Sequence, residues 1–252
     1  MRPVLVGSRI ESVDGSSPAV RRRSGQMIGA EITDIRTAGK HLLIDLDSGL
    51  SIHIHLGMTG AVRVCAAGAR PAGRGGLRLS LSTERGTVEV MSAPTVEVDR
   101  RSVLARGLKH LGPDLLAAEF DQDRFELLAS RFAGERTVSD FLLDQRVMTG
   151  IGNVYKSEVL FLESTRPGRL MATIDRDSRL ALAQRARRLM QPNARRPGRS
   201  TTGRPGGELW VYGRAERPCR RCRTAIVEGW IGDPPRITYW CPACQPETPR
   251  GA

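Results

Sequence analysis

The sequence predicts an α+β protein of several domains, with a β-rich N-terminal part of sandwich or barrel type, a helical middle and a small metal-binding appendix. Three observations carry that expectation. Apolar and polar residues alternate in short, glycine-punctuated runs through the first hundred residues; the spacing becomes helical after Leu111-Gly112-Pro113-Asp114; and four of the five cysteines form two close pairs near the C-terminus.

In the first part, Ile52, Ile54 and Leu56 alternate with Ser51, His53 and His55, and Leu77, Leu79 and Leu81 repeat the pattern, as do Val88 and Val90. Gly15, Gly39, Gly49, Gly60 and Gly86 separate the runs, and the stretch 68–76 reads as a basic turn or mobile loop. Phe125, Leu128, Ala129 and Phe132 then fall at i, i+3, i+4 and i+7, with Asp121 or Asp123 available as N-cap. Val138, Phe141 and Leu142 mark a second helix, which breaks at Thr149-Gly150-Ile151-Gly152. A third begins behind Asn153, which is placed to cap it, and Leu182, Ala186, Leu189 and Met190 mark a fourth. Residues 192–207 are rich in Pro, Gly and Arg and read as a basic loop; Glu208 to Tyr212 read as a strand.

The chain has 252 residues and a formal charge of +12, with only three lysines (Lys40, Lys109, Lys156) among its 39 basic residues. An apolar content of 40% excludes wholesale disorder, and no run approaches the ~20 apolar residues of a membrane span. The N-terminus carries no signal-peptide pattern. The charge makes a polyanion the first partner to consider, with a merely solvated arginine-rich surface as the alternative.

Cys219-x2-Cys222 and Cys241-x2-Cys244, with 18 residues between the pairs, match the zinc-ribbon spacing, in which two tight turns bring four thiolates onto one ion. Four cysteines leave no open position, so the expected Zn²⁺ is structural. Cys65 stands alone, as a half-buried strand residue. Arg236, between the pairs, is either a phosphate ligand or an exposed edge-strand charge. The turn before Asn153 offers free helix amides to an anion, and the bland alternative is a packed helical hairpin. Lys156, one turn in, reads as solvated.

Five stretches together, Gly39-Lys40-His41-Leu42-Leu43, His55 to Gly60, His110 to Leu116, Leu143 to Glu158 and Leu209 to Gln245, resemble the formamidopyrimidine-DNA glycosylase/endonuclease VIII family, in its actinobacterial endonuclease VIII-like branch. The resemblance runs in order along nearly the whole chain. It implies a β-sandwich (1–108), a helix–two-turn–helix domain with its basic loop (109–207) and a zinc finger (208–246). It also implies a monomeric, cytoplasmic bacterial enzyme of base-excision repair. Such an enzyme excises oxidised bases from double-stranded DNA and cleaves the strand at the abasic site. Lys40 falls on the lysine of β-elimination and phosphate contact, and Arg236 on the zinc-finger arginine of phosphate binding and δ-elimination. Met58 falls on the residue that fills the hole left by the flipped nucleotide. Asn153 falls on the asparagine that grips backbone phosphate, and His110 lies near a position that is basic in some relatives. A base inside a duplex is out of reach, so about a few kcal/mol must be spent to flip it, and a soft wedge such as Met58 suits the vacated stack.

The sequence departs from that pattern at its start. The family opens Pro-Glu, where the proline amine attacks C1′ and the glutamate is acid and base; a terminal amine of pKa ~8 suits the task. Here Met1-Arg2-Pro3-Val4-Leu5-Val6-Gly7 resembles the end of the family's first helix, with about a dozen residues absent by the family layout. The Pro3 nitrogen is a tertiary amide, and Glu11 lies too far along to substitute. Two expectations follow: the true start lies upstream, or the chain is a damaged-DNA binder with impaired catalysis. A zinc-ribbon transcription or translation factor is the rival from motifs alone, and it gives Lys40 and Met58 no role.

Overall fold

In the computed structural model, residues 1–57, 59–67, 75–194, 198–204 and 208–247 are described. The chain divides into two compact units, Met1–His110 and Leu111–Ala252, so that the helical segment and the cysteine module share one unit.

Unit 1 opens with a short helix α1 (Arg2–Leu5), strand β1 (Ser12–Asp14) and helix α2 (Pro18–Met27). Seven strands follow: β2 (Ile32–Ala38), β3 (His41–Leu46), β4 (Leu50–His55), β5 (Ala61–Ala66), β6 (Leu77–Thr83), β7 (Gly86–Met91) and β8 (Thr95–Arg100), and then helix α3 (Arg101–Gly107). They form two antiparallel four-stranded sheets, β1-β6-β7-β5 and β2-β3-β4-β8. The alternation in sequence becomes the two faces of each sheet. Leu42, Ile44, Leu46, Ile52, Ile54, Val96 and Val98 from one sheet join Leu79, Leu81, Val88 and Val90 from the other in a single core. Cys65 on β5 is buried. Helix α2 was not read from the sequence; Pro18 at its first turn, behind Ser17, is its start signal, and Val20 and Met27 bury its inner side.

The opposite face of β2-β3-β4-β8 carries mostly polar residues beside the buried Leu43. Asp45 on β3 is buried there, and Arg36 on β2 grips it with both Nε (2.7 Å) and Nη2 (3.0 Å), while the Ser51 hydroxyl donates to the same carboxylate. Burial opposes ionisation of Asp45, but Arg36, Ser51 and Arg101 outweigh it and hold the carboxyl below its usual range.

Unit 2 contains α4 (Gln122–Ser130), α5 (Val138–Leu143), α6 (Asn153–Leu162), a 3₁₀ turn (Met171–Thr173), α7 (Arg176–Asn193) and the hairpin β9 (Val227–Ile231) and β10 (Arg236–Trp240). Asp121 caps α4 by accepting from the Arg124 amide. Thr137 and Asp140 form a capping box on α5. Phe125, Phe141, Leu142, Val159, Leu160, Leu182 and Ala186 fill the helical core. A second core joins Phe161, Val211, Cys219, Ile226 and Cys241, so the end of α6 and the cysteine module are packed as one body. The predicted strand at 208–212 is not formed; that segment is a turn whose amides point at a carboxylate described below.

Candidate nucleic-acid interface and metal centre

In unit 1, Lys40 is exposed on the two-residue turn between β2 and β3, closed by the pair Ala38–His41. Strand register then gathers three of the chain's four histidines beside it. His41 stands opposite His55, and His53 opposite Glu97. His41 Nδ1 lies 2.8 Å from His53 Nε2, and His53 Nδ1 lies 3.0 Å from Glu97 Oε2, while the His41 and His55 rings stack at 4.7 Å. The pattern fits one direction of donation: His53 Nδ1–H to Glu97, and His41 Nδ1–H to His53. Burial, then His55, His53 and His110, push His41 down to about 4. Burial, then Lys40 and His53, also lower His55. His110, exposed, shares a cavity of about 500 Å³ with His41, His53, Glu97, Asp99 and Arg22. Met58 lies outside the described residues.

In unit 2 the two signature segments meet. Gly112 donates to the Gln145 carbonyl (2.8 Å), and Thr149 donates to the Pro113 carbonyl (2.9 Å). A Cβ on Gly112 would strike the Val147 backbone, so only glycine allows this approach. Gln145 donates to the Leu143 and Ile151 carbonyls and accepts from the Gly150 amide, fixing the turn that launches α6.

Asn153 does not cap α6. Gly152 occupies the N-cap with extended backbone, and Asn153, the first helical residue, donates Nδ2 to the Ile237 carbonyl at 2.8 Å. Its Oδ1 is buried and has no hydrogen-bond partner among the described residues. The expected cap is therefore a strut to β10, and it lies against the residue that follows Arg236. Lys156 is buried, not solvated, and donates to the Thr238 hydroxyl at 2.6 Å. Burial lowers it to about 8, against a rise from Asp140, with Arg236 lowering it further. Glu158, also buried, collects the amides of Trp210 (2.8 Å), Val211 (2.9 Å) and Tyr212 (2.9 Å) and the Thr201 hydroxyl. This carboxylate is why residues 208–212 are no strand. At the hairpin tip, Asp140 accepts from the Asp233 amide (2.8 Å), and Arg136 donates to the Asp233 carbonyl (2.8 Å). Arg236 itself is exposed at the start of β10.

The four module thiols lie within 4.8 Å of one another, with Sγ separations of 3.9 Å (Cys219–Cys244), 3.4 Å (Cys222–Cys241) and 3.5 Å (Cys222–Cys244). None is disulfide-bonded. Four sulfurs each about 2.3 Å from one ion stand about 3.8 Å apart in a tetrahedron, so the donor set fits a tetrahedral metal ion. Gln245, fully buried, accepts from the Cys241 amide (3.0 Å) and donates to the Thr165 carbonyl (2.8 Å), tying the knuckle to the end of α6.

Lys156, Glu158, Asp140 and Thr238 were not identified as site residues from the sequence. Only Asp140 left a readable signal, the Thr-x-x-Asp pattern of a capping box.

A two-layer β unit followed by a helical unit that clamps a four-cysteine hairpin defines a class of multidomain protein built to present cations beside a helix N-terminus. Residues 1–102 match the formamidopyrimidine-DNA glycosylase N-terminal domain, and residues 111–204 match the formamidopyrimidine-DNA glycosylase H2TH domain. The chain belongs to the formamidopyrimidine-DNA glycosylase/endonuclease VIII family. A probable endonuclease 8 2 of Streptomyces coelicolor is 40% identical over 87% of this chain and 80% of its own length. The DNA-(apurinic or apyrimidinic site) lyase Nei2 of Mycolicibacterium smegmatis is 36% identical over 97% of this chain and 94% of its own. Among solved structures, the Lactococcus lactis Fpg in complex with FAPY-dG-containing DNA superposes with a TM-score of 0.81 at 25% identity, covering 98% of this chain and 96% of that one.

Proposed function

We propose that this chain is a DNA glycosylase with abasic-site lyase activity, acting in base-excision repair on duplex DNA that carries oxidised bases or abasic sites. The observation that carries the reading is in unit 2: the strut from Asn153 to Ile237 brings the turn asparagine and Arg236 to one place, at the N-terminal end of α6. A guanidinium fork beside helix amides is a phosphate site. The names of the bacterial relatives support the enzyme reading over that of an impaired DNA binder.

In this reading Arg236 and Asn153 hold phosphate while a nucleotide is displayed. Met58 fills the vacated stack, and His110 adds a further DNA contact. Lys40, exposed on its turn, serves the β-elimination at the abasic sugar, and Arg236 the δ-elimination. Pro3 lies in peptide linkage inside α1 and offers no amine. The metal is Zn²⁺, held by Cys219, Cys222, Cys241 and Cys244; when bound it supplies a rigid tetrahedral cross-link with no open coordination position. No helix among the described residues is long and apolar enough to cross a membrane. The proposed setting is the bacterial cytoplasm, as a monomer that joins the nucleoid when bound to DNA.

The test is borohydride trapping and strand incision by the native protein, with its natural N-terminus, on matched abasic and intact duplexes. A covalent adduct and incision confined to the abasic duplex are expected, with incision reduced in Lys40→Ala. Equal affinity for both duplexes together with no adduct would overturn the reading.

A further inference from the structure

Lys156 is fully buried, yet among the described residues no carboxylate forms an ion pair with it. The acid that acts on it, Asp140 on α5, is already committed: its Oδ2 accepts from the Thr137 amide (3.1 Å) and hydroxyl (2.7 Å), and its Oδ1 from the Asp233 amide (2.8 Å). Helix α7, which also packs against α6, contributes none of the charges that act on Lys156. The hydrogen bonding runs one way. Lys156 Nζ donates to Thr238 Oγ1 (2.6 Å), and the Thr238 hydroxyl donates to the Arg236 carbonyl (2.9 Å). A buried cation without a counter-ion is costly unless an anion arrives to balance it.

We propose that Lys156 is a positioning residue of the phosphate grip: through Thr238 it fixes the backbone that presents Arg236, and its buried charge is balanced by the phosphate that Arg236 receives. This rests on the reading of the chain as a DNA-binding repair enzyme. Having no exposed surface, Lys156 is neither a nucleophile nor a direct ligand; it acts through Arg236.

A bound phosphate stabilises the charged form of Lys156, so DNA binding takes up a proton once the free protein begins to lose it. Affinity is therefore flat below the ammonium's own titration near pH 8 and falls as pH rises above it. Thr238→Val removes the ammonium's acceptor while keeping its bulk, so that fall starts at lower pH.

The experiment measures affinity for a duplex with a stable tetrahydrofuran abasic analogue, and for the intact duplex, between about pH 6.5 and about pH 9.5 at fixed salt. The proteins are the native form, Lys156→Met, Lys156→Arg and Thr238→Val, each checked for metal content and thermal melting. Lys156→Met should bind both duplexes about tenfold more weakly at neutral pH and lose the alkaline fall. Lys156→Arg should restore neutral affinity with no fall in this range, since a guanidinium stays charged. Thr238→Val should weaken neutral affinity, because it cuts the link to the Arg236 carbonyl, and shift the fall to lower pH, which serves where Lys156→Met does not fold. Native-like affinity and pH profile in Lys156→Met, or an unmoved profile in Thr238→Val, would overturn the proposal. A native protein that binds neither duplex overturns the functional reading instead.

Discussion

Asp140 presses against Gly232: the carboxylate that caps α5 also accepts from the next amide, Asp233, and leaves no room for a Cβ at residue 232. Residue 232 has φ +97°, a conformation that L side chains rarely adopt. Gly232→Ala should therefore destabilise unit 2 by about 1–3 kcal/mol, through backbone strain and loss of the Asp140 contact. Thermal melting checks this, and an unchanged melting temperature would show that the hairpin tip yields freely.

Glu158→Gln should be as damaging for another reason. The carboxylate accepts from three amides and one hydroxyl, and a carboxamide can present only one oxygen. The other position becomes a donor facing donors, at about 1–3 kcal/mol for each orphaned group. Hydrogen exchange should quicken at residue 210, or at 211 and 212, according to which oxygen is lost. Native exchange rates at all three amides would contradict the role.

Arg236→Ala should weaken binding to every duplex and reduce the slope of log K against log salt by ~1, because one cation fewer displaces condensed counterions. Met58→Ala should leave the slope unchanged. Equal slopes for the native protein and Arg236→Ala would remove Arg236 from the phosphate grip.

Elemental analysis of freshly purified protein should find stoichiometric zinc, and Cys241→Ser should lower metal content and DNA affinity together. Chelation should melt the module around Phe161, Val211 and Ile226 while leaving the β core of unit 1, which contains none of its residues. Metal-free protein with full DNA affinity is the contrary result.

The histidine ladder makes a prediction about acid. His41 is lowered to about 4 by burial and its histidine neighbours, against an ordinary value of 6.5. Between those values the unfolded chain binds the extra proton and the folded one does not, so stability rises with pH across that window and is lost as pH falls through it. An imidazole titration by NMR should show one ring neutral well below pH 6, and His41→Gln should flatten the acid limb of the stability curve. A His41 midpoint near 6.5 would refute the half-buried, neutral assignment.

Most of the strand and helix plan was legible because burial in this protein is one-sided. Ile52 and Ile54 face a core while His53 and His55 do not, and a period of two records that directly. The cysteine set was legible because its spacing is local. What escaped was set by distant partners. Trp210, Val211 and Tyr212 are good strand formers, and nothing near them announces that Glu158, some fifty residues earlier, takes their amides. Asn153 looks like a cap until Ile237 supplies a better acceptor for its amide, and Lys156 looks solvated until Thr238 is folded over it. Helix α2 is hidden in the sequence because Val20 and Met27 give it too thin an apolar stripe to stand out among Arg21, Arg22 and Arg23.

Asn153, Lys156 and Glu158 all spend their side chains on the segment from Trp210 to Thr238. The most recognisable stretch of the chain is thus a lock for its own C-terminal hairpin as much as a surface for a ligand. Chimeras between relatives should respect that inheritance. A hairpin exchanged alone, at a seam near residue 208, would arrive without its matching helix, whereas an exchange at the 110/111 boundary would carry key and lock together.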